Sequence, residues 1–221
     1  MTLLPALIVF AAASLTNVFP QIDAKQQYSF GGSNMLAAQI QQGAPADVFA
    51  SANVALPQKL YDAGLVEKPV VFTRNALILI VPKANPAHIR SVYDLTHEGV
   101  KLVVAAPGVP VGDYTRTVLH NLGLDSALSN VVSNENDVRE VLAKVALGEA
   151  DAGFVYTTDA RTVRGKVATI GIRWSAQPIA AYAVAVVVSS PHKAAARAFV
   201  ARLLRVTAQT KLQAAGFLRR K

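Results

Sequence analysis

Five positions offer neutral hydrogen-bond donors at points where a predicted strand ends or a predicted helix begins. Ser14 and Ser33 supply hydroxyl groups, and Tyr156 supplies a phenol at the end of an apolar strand. Val111 and Val138 stand at helix starts, where backbone N–H groups lack an intrahelical partner. Hydrogen bonds from such neutral donors to an ionised acceptor are strong. The set therefore predicts a binding site for a fully ionised oxyanion.

Each of the two serines follows a short predicted strand and precedes a predicted helix. The first corner is LIVFAAASLT (Leu7–Thr16), and the second is a strand at Tyr28–Phe30 followed by two glycines and Ser33. Ligands of open α/β sheets bind outside the carboxyl ends of strands, and a helix start is suited to an anion. The alternative for Ser33 is that its hydroxyl only caps its own helix.

One acidic residue, Asp137, directly precedes a predicted donor, Val138. A buried carboxylate facing the site would repel a dianion, so we expect Asp137 to turn outward or to cap its own helix. A site made of donors also disfavours phosphate. Near neutral pH phosphate keeps a proton, and a buried O–H without an acceptor costs about 1–3 kcal/mol.

The sequence contains few of the residue patterns that enzyme catalysis requires. The phosphate-loop, dinucleotide-binding, zinc-protease and nucleophile-elbow motifs do not occur. The four histidines lie far apart without ligand spacing, and the lack of cysteine excludes thiolate catalysis and thiolate metal sites. A serine nucleophile would need a base that only the fold could bring beside it. We predict a protein that is not an enzyme and holds no cofactor.

Composition indicates a packed globular protein. Of 221 residues, 52% are apolar and 16% are charged. The net charge of +8 comes from scattered basic residues and a basic C-terminal end, without the aromatic-interleaved stripe that is typical of nucleic-acid modules. We therefore expect no nucleic-acid partner.

Strands alternate with helices along the chain, which predicts an α/β architecture with largely parallel sheets. Two long uninterrupted strands, Asn75–Pro82 and Ala181–Val188, are the candidates for passing between two lobes. The apolar run Leu3–Leu15 is preceded by no positive charge, and cleavage after Ala13 would remove a strand. We interpret it as the first strand of a mature domain, with any export signal absent from this chain.

Several segments resemble the periplasmic molybdate-binding proteins of ABC-type molybdate transporters. In chain order they are FAAASLTN, FGGSNMLAAQIQQGAPADVFASA, VPVGDYTRTVL, NDVREVLAKVALGEADAGFVYTTDA and AVAVVVSS. The resemblance implies the type II periplasmic-binding fold: two α/β lobes joined by two crossing strands and closing on ligand like a hinged clamp. It places lobe I at residues 1–79 and 186–221 and lobe II at residues 80–185. Between Asn17 and Phe30 this chain is shorter than the family, so the first helix and the next strand are expected to be trimmed.

Carried over by position, the resemblance implies that five residues hold molybdate in the interlobe cleft. Ser14 and Ser33 match two serines, Val111 and Val138 match backbone N–H donors, and Tyr156 matches a tyrosine whose hydroxyl completes the site. The implied protein is a periplasmic monomer that delivers molybdate, or tungstate, to an ABC transporter membrane permease. Two alternatives remain: a receptor for sulfate or another oxyanion, and the effector-binding domain of a transcription regulator.

Overall fold

The computed structural model describes residues 5–221, which form two compact units. The first unit runs to Arg74 and resumes from Ala181 to Lys221, and the second comprises Asn75–Ala180. The chain therefore passes from one unit to the other twice, at residues 74–75 and 180–181.

Strands and helices alternate through much of the chain. The first unit begins with β1 (Ile8–Ala12), α1 (Phe19–Ile22), β2 (Gln27–Gly31), α2 (Ser33–Gln41), β3 (Val48–Ser51), α3 (Ala55–Asp62) and β4 (Val70–Asn75). The second unit contains β5 (Leu77–Pro82), β6 (Leu102–Ala105), α4 (Pro110–Asn121), β7 (Val131–Glu135), α5 (Val138–Leu147), β8 (Ala152–Tyr156), α6 (Thr157–Ala160) and β9 (Val167–Ile170). The chain returns with β10 (Ala180–Val186), α7 (Lys193–Leu203) and α8 (Val206–Ala215). Short 3₁₀ segments lie at Ala13–Leu15, Val92–Thr96, Asp125–Asn130, Arg161–Val163 and Trp174–Ala176.

The sheet of the first unit has the strand order β2-β1-β3-β10-β4. β1 runs parallel to both β2 and β3, and β10 runs antiparallel to β3. The register pairs Ala12 with Gly31 and Ala11 with Ala50. The carboxyl ends of β2, β1 and β3 thus lie together at one edge of the sheet.

Aromatic and aliphatic side chains fill the first unit. Phe10 and Phe49 pack in a buried cluster with residues of α2 and α3. Other rings meet around Phe19, which lies 5.8 Å from Phe72 and 6.0 Å from Phe199 between ring centroids. Burial of this apolar surface supplies most of the stability of the unit.

The sheet of the second unit has the order β7-β6-β8-β5-β9. β6 runs parallel to β7 and β8, whereas β5 runs antiparallel to β8 and β9. Helix α5 packs closely on β8 because Gly153 has no side chain: a Cβ there would lie 2.8 Å from Cγ1 of Val141.

The α/β class predicted from the sequence is confirmed, with one refinement: both sheets are mixed. In each sheet three neighbouring strands run parallel to one another, and the strand beside them, β10 in the first sheet and β5 in the second, runs antiparallel to its parallel neighbour. The two strands proposed to cross between lobes each belong to one sheet, β5 to the second and β10 to the first. The predicted boundaries, 79/80 and 185/186, fall inside these strands, whereas the units divide at 74/75 and 180/181.

The N-terminal segment matches the expectations in its described part. The apolar run includes β1, while Leu3 and Leu4 lie outside the described residues. Helix α1 is only four residues long, as expected from the short segment between Asn17 and Phe30. Within residues 5–221, every helix is too short or too polar to cross a bilayer.

Candidate functional site

Ser14 lies just beyond the carboxyl end of β1, in the 3₁₀ segment Ala13–Leu15. Its side chain is 3% exposed, and its Oγ lies 2.8 Å from the hydroxyl oxygen of Tyr182 on β10. Either hydroxyl can donate in this hydrogen bond. A serine hydroxyl has two lone pairs and one proton, so accepting from Tyr182 leaves its proton for another acceptor.

Ser33 is the first residue of α2, two residues beyond the end of β2. The N-cap of that helix is Gly32, and the Ser33 hydroxyl makes no capping bond. Its Oγ instead accepts a hydrogen bond of 3.1 Å from the backbone N–H of Ala52, which follows β3. The alternative that Ser33 only caps its own helix is therefore wrong, because Gly32 occupies the extended backbone position where a cap would stand.

The two serines of the first unit share the carboxyl edge of its parallel strands. Ala12 and Gly31 are paired in the β1–β2 register, and each serine lies two residues beyond its member of that pair. Both hydroxyls are buried, at 3% and 2% exposure of their residues. The structure thus places Ser14 and Ser33 just beyond the ends of two neighbouring strands; the sequence predicted the strand ends, and the pairing of the two strands is a finding of the structure.

Val111 lies at the start of α4, which follows β6 in the second unit. Pro110 occupies the first helical position, and the N–H of Val111 has no acceptor among residues 5–221. The helix start is held very close to β6: a Cβ on Gly112 would lie 2.4 Å from the carbonyl oxygens of Ala105 and Ala106. Only glycine permits this approach.

Val138 is the first residue of α5, and Asp137 is its N-cap. The Asp137 carboxylate accepts from the N–H groups of Arg139 at 2.6 Å and Glu140 at 3.1 Å. The N–H of Val138 itself has no acceptor within the described part of the chain. The expectation that Asp137 caps its own helix is confirmed, and its charge is directed at backbone donors.

Tyr156 is the last residue of β8 and is 1% exposed, with its hydroxyl oxygen buried. It pairs with Leu77 of β5, and α6 begins at the next residue. Asn75 fixes this turn: its side chain donates to Thr158 Oγ1 at 2.9 Å and accepts from Thr157 Oγ1 at 3.0 Å.

The three positions of the second unit again share one sheet edge. Val111, Val138 and Tyr156 stand at or beyond the carboxyl ends of the neighbouring parallel strands β6, β7 and β8. This is the edge at which open α/β sheets bind their ligands. Two helix starts and one phenol therefore form the donor group of the second unit.

An ion pair with a buried carboxylate joins residues that neighbour two of these positions. Arg139 Nε lies 2.8 Å from Oδ1 of Asp159, whose side chain is fully buried. Burial raises the pKa of the Asp159 carboxyl to about 7, although the charge of Arg139 and the backbone N–H of Tyr156 act to lower it. The pair ties the start of α5 to the segment that follows Tyr156.

Sequence reasoning missed the residues that position the donors. Tyr182, Gly112 and the Arg139–Asp159 pair carry no local motif, since each acts through contacts made by the fold. Within the described residues, no group of three or more His, Asp or Glu side chains is arranged to hold a metal ion. The chemistry available at both sheet edges is hydrogen-bond donation to an anion.

The chain is similar to known proteins of one family. The family of bacterial extracellular solute-binding proteins matches residues 9–218. The molybdate-binding protein ModA of Mycobacterium tuberculosis H37Rv is 39% identical over 222 residues, covering 96% of this chain and 84% of the relative. ModA of Escherichia coli K12 is 36% identical over 177 residues, covering 71% and 67%. The periplasmic molybdate-binding protein of Azotobacter vinelandii, 24% identical, has the same fold with a TM-score of 0.84, covering 96% of this chain and 98% of that chain.

Proposed function

The chain belongs to the bacterial extracellular solute-binding proteins of the ModA type, and from this membership we propose that it captures molybdate for an ABC transporter permease. Tungstate, which has the same charge and tetrahedral form, is a second ligand in this proposal. The protein acts in the periplasm, as a monomer, without a cofactor, without catalysis and without a nucleic-acid partner.

We assign the oxyanion to the donors described above. The proposed ligands are the hydroxyls of Ser14 and Ser33 from the first unit and the N–H groups of Val111 and Val138 with the Tyr156 hydroxyl from the second. The observation that carries the proposal is the hydrogen bonding of the two serine hydroxyls. The Ser14 Oγ can accept a hydrogen bond from the Tyr182 hydroxyl, and the Ser33 Oγ accepts one from the N–H of Ala52. In this arrangement the proton of each serine hydroxyl is left for a ligand.

Neutral donors suit a dianion that carries no proton. Each charge-assisted hydrogen bond to molybdate is stronger than a bond between neutral groups. Phosphate near neutral pH needs an acceptor for its remaining proton, and the nearest carboxylate in sequence, Asp137, is already engaged with two backbone N–H groups. Leaving that O–H unpaired costs about 1–3 kcal/mol. A cost in the upper part of that range lowers the affinity for phosphate at least about tenfold.

The test is calorimetric titration of the purified protein with molybdate, tungstate, sulfate and phosphate near pH 7. We expect one-to-one binding of molybdate and tungstate, with phosphate at least about tenfold weaker. Sulfate has no proton and is distinguished only by its shorter bonds, so tight sulfate binding would leave the donor site intact and change the assigned substrate. Equal binding of phosphate and molybdate would refute a site made only of donors.

A further inference from the structure

We infer that Tyr182 is a positioning residue that holds the Ser14 hydroxyl as a donor and so sets the preference for fully ionised oxyanions. This inference rests on the proposed function, because it concerns the affinity of the same site. Tyr182 itself lies on β10 and is separated by 168 residues from Ser14.

The geometry of the pair is tightly constrained. The two hydroxyl oxygens lie 2.8 Å apart, and Tyr182 and Ser14 are 0% and 3% exposed. Two rings pack edge-on against Tyr182, with centroids 6.3 Å away for Phe72 and 5.5 Å away for Phe217. The phenol oxygen is therefore fixed by its ring, and the Ser14 hydroxyl is the part that can rotate.

The direction of this hydrogen bond decides what Ser14 can do for an anion. If Tyr182 donates, the Ser14 oxygen is an acceptor and its proton points elsewhere. A phenol is the more acidic of the two hydroxyls and hence the better donor. With a dianion beside Ser14, the chain from Tyr182 to Ser14 to the anion has every proton directed toward negative charge, and the two bonds strengthen each other.

Ser33 makes a comparable hydrogen bond, and the direction of that bond is fixed. The N–H of Ala52 can only donate, so the 3.1 Å bond to Ser33 Oγ makes that oxygen an acceptor. Both serines are then set to donate. The O–H of a protonated oxyanion needs an acceptor, and a serine oxygen that already accepts one hydrogen bond has less capacity to accept another.

The experiment compares Tyr182→Phe with Tyr28→Phe, a matched control in the first unit. The Tyr28 hydroxyl donates to the backbone carbonyls of Phe19 and Asp23, and its ring also contacts Phe19. Calorimetry with molybdate, and phosphate displacement of bound molybdate, give both affinities for each variant. Melting temperatures report any loss of folding.

We expect Tyr182→Phe to weaken molybdate binding by about tenfold and phosphate binding much less. The ratio of the molybdate affinity to the phosphate affinity should therefore fall. Tyr28→Phe should change neither affinity. In a Ser14→Ala background, Tyr182→Phe should have no further effect on molybdate, because the residue acts through Ser14.

Equal losses for molybdate and phosphate, or additive effects of the Ser14 and Tyr182 substitutions, would overturn the inference. Unchanged molybdate affinity in Tyr182→Phe, with tight binding by the unmodified protein, would overturn it while leaving the proposed function standing. A complete lack of molybdate binding by the unmodified protein would overturn both.

Discussion

Arg139 and Asp159 form an ion pair of 2.8 Å in which the carboxylate is fully buried and the guanidinium is partly exposed. Arg139 follows Val138 at the start of α5, and Asp159 lies three residues beyond Tyr156. The ion pair therefore joins the two segments that carry the proposed donors Val138 and Tyr156. Burying the carboxylate costs free energy that the pairing only partly offsets.

This burial predicts a pH dependence of stability. Because burial raises the folded-state pKa of Asp159 to about 7, the protonated form is favoured by folding. The stability from this group is fully present below the unfolded-state pKa of about 3.9 and is lost as the pH rises toward 7. We expect the free energy of unfolding to fall by a few kcal/mol more between these limits in the unmodified protein than in Asp159→Asn. Urea unfolding at a series of pH values measures this difference, and parallel pH profiles for the two proteins would contradict it.

The close approach at Gly112 predicts a second effect. In Gly112→Ala the new Cβ would lie 2.4 Å from two backbone carbonyl oxygens, so the start of α4 must shift away from β6. Because the proposed donor Val111 precedes this residue, we expect molybdate affinity to fall by at least about tenfold together with a lower melting temperature. Gly171→Ala is the matched control, since a Cβ there has no atom within 4 Å and its φ is ordinary. Wild-type affinity in Gly112→Ala would show that the N–H of Val111 is not used.

Side-chain donors and backbone donors should respond differently to truncation. Tyr156→Phe and Ser33→Ala each remove a proposed hydroxyl donor, so each should cost about 1.5–3 kcal/mol of binding free energy, roughly ten- to a hundredfold in affinity. Val138→Ala keeps the N–H and should cost far less. Calorimetric titration with molybdate compares the three. Equal losses would mean that the site lies elsewhere or that the substitutions act through folding.

Ligand binding should also appear as thermal stabilisation. Molybdate at a thousand times its dissociation constant adds about 4 kcal/mol to the free energy of unfolding. For a chain of this size the melting temperature should rise by about 8–16 °C. Differential scanning calorimetry with and without millimolar molybdate measures the rise, and sodium chloride of equal ionic strength is the control. An unchanged melting temperature would speak against tight binding.

The sequence predicted well those elements that have local signals. Helix α5 is one that local signals define: Asp137 caps its start, and Gly148, with a φ of 76°, ends it in the left-handed conformation. The apolar strand that the sequence indicates before Tyr156 is β8, and all of its residues are buried. The edge strand β7, with alternating half-exposed residues, and helix α8 have weaker sequence patterns.

The candidate site was predictable only in part, for a physical reason. Ser14 and Ser33 each stand between a predicted strand and a predicted helix, so their place at a sheet edge follows from the alternation of strands and helices. The partner of Ser14 could not be found in this way, because Tyr182 is distant in sequence and reads as one more residue of an apolar strand. Likewise the hydrogen bond from Ala52 to Ser33 depends on the pairing of β1 with both neighbours.

The position of β10 within its sheet has a consequence for synthesis of the protein. In the order β2-β1-β3-β10-β4, strand β10 separates β3 from β4, yet it is made only after the whole of residues 75–180. The second unit is continuous in sequence and can complete its sheet as soon as its own residues are available. In the first unit, β4 and one edge of β3 lack their neighbour β10 until the last part of the chain has been synthesised. Until β10 is available, the incomplete sheet of the first unit therefore has an unpaired strand edge, and such edges are the ones at which strands pair wrongly.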